Sequence, residues 1–507
     1  MAIELAGAKM VAPFYGTSLY VWASVLAVTL GGLTTGYFLG GWATYRYPVM
    51  KMLIGVLLAG TVLICIMPLL ALKIMPATNG LGLRMGSLVS CTLFMFPPLV
   101  CMGMVSPAII QIINQELKAT GRTAGTIYAI STVGGIVMTL LMGFFLLPDW
   151  GIRNSVYLTA MLLGGMAVML VILSREFRFW ATAAALVIVF SFLAAGKPFA
   201  DPDVSGKYIY RSEGILGQTT VFQYTESSTG DLVRLLMINQ ITQTYVGMTD
   251  PPVSHLNFTH RIATLAGLKP RGAKALLIGM GGGSIASELK NMGFQLDIVE
   301  IDPRMFSIAK EYFAFDSRGV REFVDDGRHF IQSVQSAMDK YDLVVIDVCN
   351  GEVQPNHMFT RESCRELKNI LASDGLILIN FQGYIYGKYG RAARSLLKTM
   401  VDGGFVCRFF SEGDQDNSGD IHIAASPVEL DYGSLDTARL NACCRGFPLF
   451  YKELKTDKDI DLTDALVLSD DRPVFDKLNN KWNEEWRQLA IDNVLTEQLK
   501  YKVPFFR

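Results

Sequence analysis

The sequence predicts an α-helical transmembrane bundle followed by an open α/β domain, with a β-hairpin region between them. Three observations lead there. Charge divides the 507-residue chain unevenly: residues 1–200 carry 11 Lys/Arg and 4 Asp/Glu, leaving 34 and 42 for the remainder. Long apolar runs fill the first part, and they raise the whole chain to a mean hydropathy of +0.32 with 51% hydrophobic residues. From about residue 254 onward, short apolar strands alternate with helical periodicity, the pattern of a parallel sheet with right-handed crossovers. An apolar, sparsely charged half joined to an acidic half reads as a membrane domain followed by a water-exposed one. The expected divisions are 1–200, 207–250, 251–430 and a C-terminal extension over 431–507.

Six stretches can each cross about 30 Å of hydrocarbon: residues 18–42, 49–72, 86–113, 124–147, 155–174 and 178–196. "GGLTTGYFLGG" spaces small residues four apart, which lets helices approach closely. "FPPLVCMGMVSP" should kink the third span. Glu4 and Lys9 lie in a semi-apolar leader and are expected at the interface. Basic residues divide evenly between the two sets of connections, so charge does not orient the bundle.

After the Pro/Gly/Asp linker "AAGKPFADPDVSGK", two β-rich runs, "YIYRSEGILGQTTVFQY" and "VRLLMINQITQTYVG", flank the turn "TESSTGD". The strands that follow are "ALLIG", "LDIVEID", "REFVDDG", "YDLVVIDV", "GLILINF" and "DIHIAAS". Ligands of such sheets bind beyond the carboxyl ends of the strands. There stand Gly279, Gly281, Gly282 and Gly283 of "GMGGGS", then Glu300, then Asp326-Gly327, then Asp347. A glycine turn permits close ligand approach, and a carboxylate at the next strand end can accept both hydroxyls of a ribose. An acid–backbone pair at the third strand can read an adenine edge. The joint pattern points to an adenosine site. A nicotinamide dinucleotide fits less well, because Ser284 stands where the third glycine is expected. An S-adenosyl sulfonium donor is therefore the expected ligand. Asp347 is the candidate base, and Tyr384, Tyr386 and Tyr389 are candidates for an acceptor wall. The acidic balance excludes nucleic acid as a partner. The cysteines, including vicinal Cys443-Cys444, form no C-x-x-C motif, so neither a disulfide framework nor a metal site is expected.

These residues resemble the spermidine synthase family of aminopropyltransferases, in particular its membrane-fused bacterial branch. The resemblance covers residues 207–480 or so, and it extends to the helices of "GTSLYVWASVLAVTLGGLTTGYFLGG". It implies a Rossmann-like domain of the class I S-adenosylmethionine-dependent transferase type. The donor would be decarboxylated S-adenosylmethionine, or S-adenosylmethionine itself. Gln218 looks like the family's early donor-side glutamine, and Gln243 like the glutamine after the second strand of the hairpin. His255 and His260 occupy the histidine positions of the helix leading into the sheet. Glu300 and Asp326-Gly327 match the ribose and adenine positions, and Asp347 the first aspartate of the catalytic loop.

Three departures bear on the reaction. Gly282 replaces the aspartate that holds the donor's aminopropyl ammonium in the family. Leu256 replaces an acceptor-side glutamate, and Asn350 the second aspartate of the catalytic loop. Each lost charge-assisted contact is typically worth ~1.5–3 kcal/mol. Glycine at 282 would also lift the repulsion of a donor carboxylate and offer backbone N–H groups instead. The resemblance implies a small amine or membrane-adjacent acceptor and a bacterial cytoplasmic membrane. The soluble half would be cytosolic, where the donor is made, and there is room for a homo-oligomer. Methyl or aminocarboxypropyl transfer, and a non-catalytic adenosine sensor, are the alternatives.

Overall fold

The computed structural model describes residues 1–117, 120–174, 184–185, 187–188, 206–214, 216–226, 229–335, 340–411, 418–434, 455–456 and 460–501. Most of the sixth expected span, most of the linker after it, and Cys443-Cys444 lie outside the described residues. The chain forms two compact units: Met1–Val204 with Tyr210–Thr219 and Ile491–Arg507, and Ser205–Ile209 with Thr220–Ala490.

The first unit is helical: α1 (Ala2–Tyr15), α2 (Leu19–Arg46), α3 (Val49–Thr78), α4 (Gly82–Leu117), α5 (Thr120–Leu141) and α6 (Gly151–Leu173), with a π-helical stretch at Met142–Trp150. Three apolar stretches, Tyr20–Arg46, Val49–Ile113 and Ala124–Leu173, are long and apolar enough to cross a membrane. The second joins α3 and α4 and the third joins α5 and α6, so among the described residues three such stretches stand against the six expected. The leader carrying Glu4 and Lys9 is helical. It is helix α1, with Met10, Val11, Phe14 and Tyr15 buried, and Lys9 Nζ donates to Gly214 O at 2.7 Å. Helix α4 runs on through Pro97, Pro98 and Pro107. The small-residue reading of α2 has a direct cause: a Cβ on Gly36 would stand 2.3 Å from Val100 O and 2.7 Å from Gly103 Cα. Gly36→Leu is expected to separate α2 from α4 and lower the thermal midpoint in detergent, as an overpacked core does by about 1–3 kcal/mol.

The second unit carries two sheets. Strands β1 (Gly206–Ser212), β2 (Thr219–Thr225), β3 (Leu232–Ile238), β4 (Ile241–Gly247) and β5 (Val253–Ser254) form the first, in that order. The β-rich run "VRLLMINQITQTYVG" is a hairpin of its own. Asn239 and Gln240 turn it with φ of 49° and 67°, the geometry of a tight two-residue connection built without glycine.

Next come α7 (Asn257–Ala266), β6 (Lys274–Ile278), α8 (Ser284–Asn291), β7 (Gln295–Glu300), α9 (Arg304–Tyr312), β8 (Arg321–Val324), α10 (Gly327–Ser333) and β9 (Tyr341–Ile346). They are followed by α11 (Arg361–Ile370), β10 (Leu371–Tyr384), α12 (Arg391–Asp402), β11 (Val406–Ser411), β12 (Ser418–Ser426), β13 (Lys455–Thr456) and α13 (Phe475–Tyr501). The second sheet has the order β13-β11-β12-β10-β9-β6-β7-β8. Its parallel part is β10-β9-β6-β7-β8, while β12 pairs antiparallel with β10, so the sheet is mixed rather than wholly parallel. Helices cover both faces. Leu277 and Leu378 pack with Ile262, Ile285 and Ala309 on one side, and Ile278 and Ile379 with Phe330, Leu367 and Leu397 on the other. Burial on both faces is why β6 and β9 read as unbroken apolar runs. Helix α10 starts where it does because the Asp326 carboxylate accepts the Arg328 and His329 amides.

Candidate nucleoside-binding and transfer site

The parallel strands end side by side, because Ile278 of β6 is paired with Val299 of β7 and with Ile346 of β9, and Glu300 is paired with Val324 of β8. The residues just past those ends therefore form one rim. Gly279, with φ +88°, makes the turn after β6, and a Cβ there would lie 2.0 Å from Asp347 O. No side chain fits. Gly279→Ala is expected to destabilise the domain by about 3 kcal/mol or more, from left-handed strain plus collision with backbone, measured by denaturant unfolding.

Glu300 ends β7 and is 8% exposed. Its Oε2 accepts the Met280 N–H at 2.9 Å and its Oε1 the Asp302 N–H at 2.8 Å, so it braces the glycine turn as well as facing the rim. Burial pushes its pKa above the ordinary carboxylate range, against the pull of those amides. Asp326 caps α10 with Oδ1, and its Oδ2 accepts from His357 Nε2 at 3.0 Å. Partial burial raises the Asp326 carboxyl, but the His329 amide and the His357 imidazole outweigh it and hold the group below its usual range. Gly327 follows as the first residue of α10.

Asp347 keeps some exposure, yet the protein around it strips most of its water and pushes its pKa up to about 6. Asn380 of β10 donates to its Oδ1 at 2.9 Å. Directly opposite Asn380 on β12, and hence on the same face, stands His422. Asn380 is 4% and His422 1% exposed. Asn380 Oδ1 and both His422 ring nitrogens have no hydrogen-bond partner among the described residues. Burial, with Arg261 nearby, pushes His422 down to about 3, so its imidazole is neutral. Cys349 donates to Gln243 Oε1 at 2.9 Å, and burial raises its thiol, which keeps it protonated and unsuited to nucleophilic work.

Gln243 lies within β4, not after it, and its Nε2 donates to Gly351 O at 3.4 Å. Its neighbour Thr244 corrects the reading of Gly282. The Gly282 N–H is already donated to Thr244 Oγ1 at 2.8 Å, and a Cβ on Gly282 would meet Thr244 Cγ2 at 2.7 Å. That amide is not available to a donor carboxylate.

His255 precedes α7 rather than riding on it; its ring lies 4.7 Å from that of Tyr245. Nε2 of buried His260 donates to Ser254 O at 2.7 Å, a structural bond. Asn350 and Val353 are joined backbone to backbone across a tight turn. Tyr384 OH donates to the Glu485 carboxylate of α13. Gln218 belongs to the first unit, where its Nε2 donates to Glu213 Oε1 at 2.6 Å. Among the described residues no group of three or more His, Cys, Asp or Glu is placed to hold a metal ion.

Thr244, His357, Asn380 and His422 were not singled out from sequence. One signal was there: Asn380 and His422 are polar residues inside the apolar strand runs "LILINF" and "DIHIAAS".

A mixed sheet with a glycine turn after its first strand and acids at the ends of the next three is a Rossmann-like arrangement. Within that fold, residues 258–391 match the spermine/spermidine synthase domain. Over 136 residues it is 39% identical to the polyamine aminopropyltransferase of Vibrio vulnificus, covering 26% of this chain and 46% of that one. Over 143 residues it is 34% identical to the N-terminal histidine N-methyltransferase of Emericella nidulans, covering 28% of this chain and 25% of that one. A solved structure of a probable spermidine synthase from Corynebacterium glutamicum is 20% identical, covers 46% of this chain and 82% of its own, and has a TM-score of 0.37. The chain thus spans less than half the length of these two curated relatives.

Proposed function

We propose that the chain is a membrane-anchored, spermidine synthase-like transferase that binds an S-adenosyl sulfonium donor and moves an aminopropyl group to an amine acceptor. What carries this reading is the rim itself: the Gly279–Gly283 turn, Glu300, Asp326 and Asp347 follow four adjacent strand ends. Glu300 would take the ribose hydroxyls and Asp326-Gly327 the adenine edge. The acceptor would lie on the Asp347 side, with Gln243, His255, Asn350 and Tyr384 as its candidate contacts. Asn380 Oδ1 and the His422 ring support that side, because a buried polar atom without a partner costs about 1–3 kcal/mol. The polyamine aminopropyltransferase match supports the cargo.

In such a transfer the acceptor nitrogen attacks the carbon bound to sulfur. The C–S bond breaks, its electron pair stays on sulfur, and the cationic donor becomes a neutral thioether. The acceptor must arrive as a free amine, or lose its proton on the way. Asp347, ionised above pH about 6, accepts that proton. Its bond from Asn380 fixes which oxygen faces the rim. The apolar helices would hold the domain at a bilayer.

Calorimetry of the detergent-solubilised full chain tests the reading. Binding of decarboxylated S-adenosylmethionine at least tenfold tighter than of S-adenosylmethionine supports aminopropyl transfer. Equal binding of both points to methyl or aminocarboxypropyl transfer, and binding of neither removes the enzyme reading. A designed variant sharpens the same test. Gly282→Asp alone is expected to unfold the turn against Thr244, whereas Gly282→Asp with Thr244→Ala makes room for the carboxylate. The double variant is expected to favour the decarboxylated donor by a further ~10-fold or more, the worth of one charge-assisted contact.

A further inference from the structure

Helix α13 begins at Phe475, well beyond the 258–391 family match, yet its first turns are stitched to the transfer site. Asp476 Oδ2 accepts from Asn356 at 2.8 Å, and Asn479 donates to Gln382 O of β10 at 2.9 Å. Glu485 accepts from Tyr384. The deepest of these ties is Arg487, which is 0% exposed. Its guanidinium pairs with the Glu352 carboxylate, 3% exposed, and donates from Nη1 to Asn239 O at 2.5 Å. Glu352 lies five residues after Asp347, in the same loop as Cys349 and Asn350. Asn239 is the first of the two left-handed residues of the β3–β4 turn, whose second strand carries Gln243 and Thr244.

We propose that Arg487 is a positioning residue: from the C-terminal helix it locks the 347–354 loop to the β3–β4 turn and so sets the acceptor side of the site. This inference rests on the transferase reading above. A planar guanidinium suits the task because it grips a carboxylate and a carbonyl along separate N–H directions, which an ammonium cannot do as rigidly. A buried pair of this kind contributes specificity of geometry more than stability, since desolvation offsets most of its attraction. The same loop is tied to β4 by Gln243, which bonds Cys349 and Gly351 O, and to β10 by Gln354, which donates to Asn380 O; Arg487 adds the tie from the C-terminal helix. Asn350 and Val353 close a four-residue turn on themselves, and Gly351 takes φ +65° with Arg487 Nη2 3.0 Å from where a Cβ would stand. The ties described for Arg487 and Glu352 run to each other and to Asn239 O, whereas the glycine turn is braced by Glu300 and Thr244.

The test uses the full chain in detergent with two variants. Arg487→Met with Glu352→Leu removes both charges and leaves neither one buried alone. Glu352→Gln keeps the shape and one acceptor, and serves if the double variant does not fold. Donor affinity by calorimetry is expected to stay within about threefold of wild type, the remote half being untouched. Turnover is expected to fall about 100-fold in the double variant, with acceptor KM raised, as a misplaced loop does at a reacting centre. Arg487→Lys is expected to restore part of the lost turnover. Hydrogen exchange supplies a readout independent of activity: the Asn350 and Val353 amides should exchange faster in both variants, with the β6 and β7 amides unchanged. Unchanged exchange of those two amides overturns the inference, as does equal loss of donor affinity and turnover. If the wild-type chain transfers nothing, the transferase reading fails while the exchange result still decides whether Arg487 orders the loop.

Discussion

Replacing Asp347 with asparagine is expected to lower turnover by about 10²–10⁴-fold, the usual worth of a positioned proton acceptor, while donor affinity stays close to wild type. Steady-state kinetics with both substrates, paired with donor calorimetry, reads the two quantities separately. The same variant should be more stable than wild type at pH 8. Enclosure raises the Asp347 pKa from its ordinary value to about 6, so the folded state binds this proton more tightly than the unfolded chain. The sign follows from linkage. Below the unfolded pKa both states are protonated and the group costs nothing; as pH rises toward and through 6, the folded state must bear a poorly solvated charge and stability is lost. Asparagine removes that cost, on the order of 2 kcal/mol by the size of the shift, discounted for the exposure that remains. The gain in thermal midpoint should therefore be present at pH 8 and gone at pH 4. A variant that is inactive and less stable at pH 8 would show Asp347 to be a structural cap of the turn that follows it.

Glu300→Ala should have the next largest effect, and it should fall on the donor. Two backbone amides, those of Met280 and Asp302, lose their acceptor, at about 1–3 kcal/mol each where buried. The glycine turn that Met280 belongs to loosens, and the ribose loses its carboxylate. Donor affinity is expected to fall at least 100-fold by calorimetry, together with a lower unfolding midpoint. Glu300→Gln separates the two parts. Its carbonyl oxygen can still accept one amide, so the midpoint should recover most of its value while donor affinity stays low. Recovery of donor affinity in Glu300→Gln would remove Glu300 from the ribose role.

Much of this architecture was legible in the chain, and the reason is locality. Strands β6, β7 and β9 each bury both faces, so each is a short apolar run with a glycine or an acid directly after it. Adjacent strand ends then bring Gly279, Glu300, Asp326 and Asp347 together by topology alone. Other elements escaped. The β3–β4 turn uses Asn239 and Gln240 at positive φ without the glycine that marks such turns. Helix α1 is only mildly apolar at its start, which made it read as a leader.

The partners of the site residues were hidden for a different reason. Thr244 meets Gly282 from 38 residues away, Asn380 meets Asp347 from 33, and Arg487 meets Glu352 from 135. No periodicity records such pairs. What the sequence by itself determined is the helical half, the alternating strands and the rim of glycine and acids, because hydropathy period and turn chemistry act over a few residues. The tertiary structure alone decided that the Gly282 amide is taken and that Asp347 is held near pH 6. It also decided that Arg487 of the last helix grips Glu352 in the 347–354 loop. Those depend on which side chains desolvate and bond one another across distant segments, and only the packed chain brings them into reach.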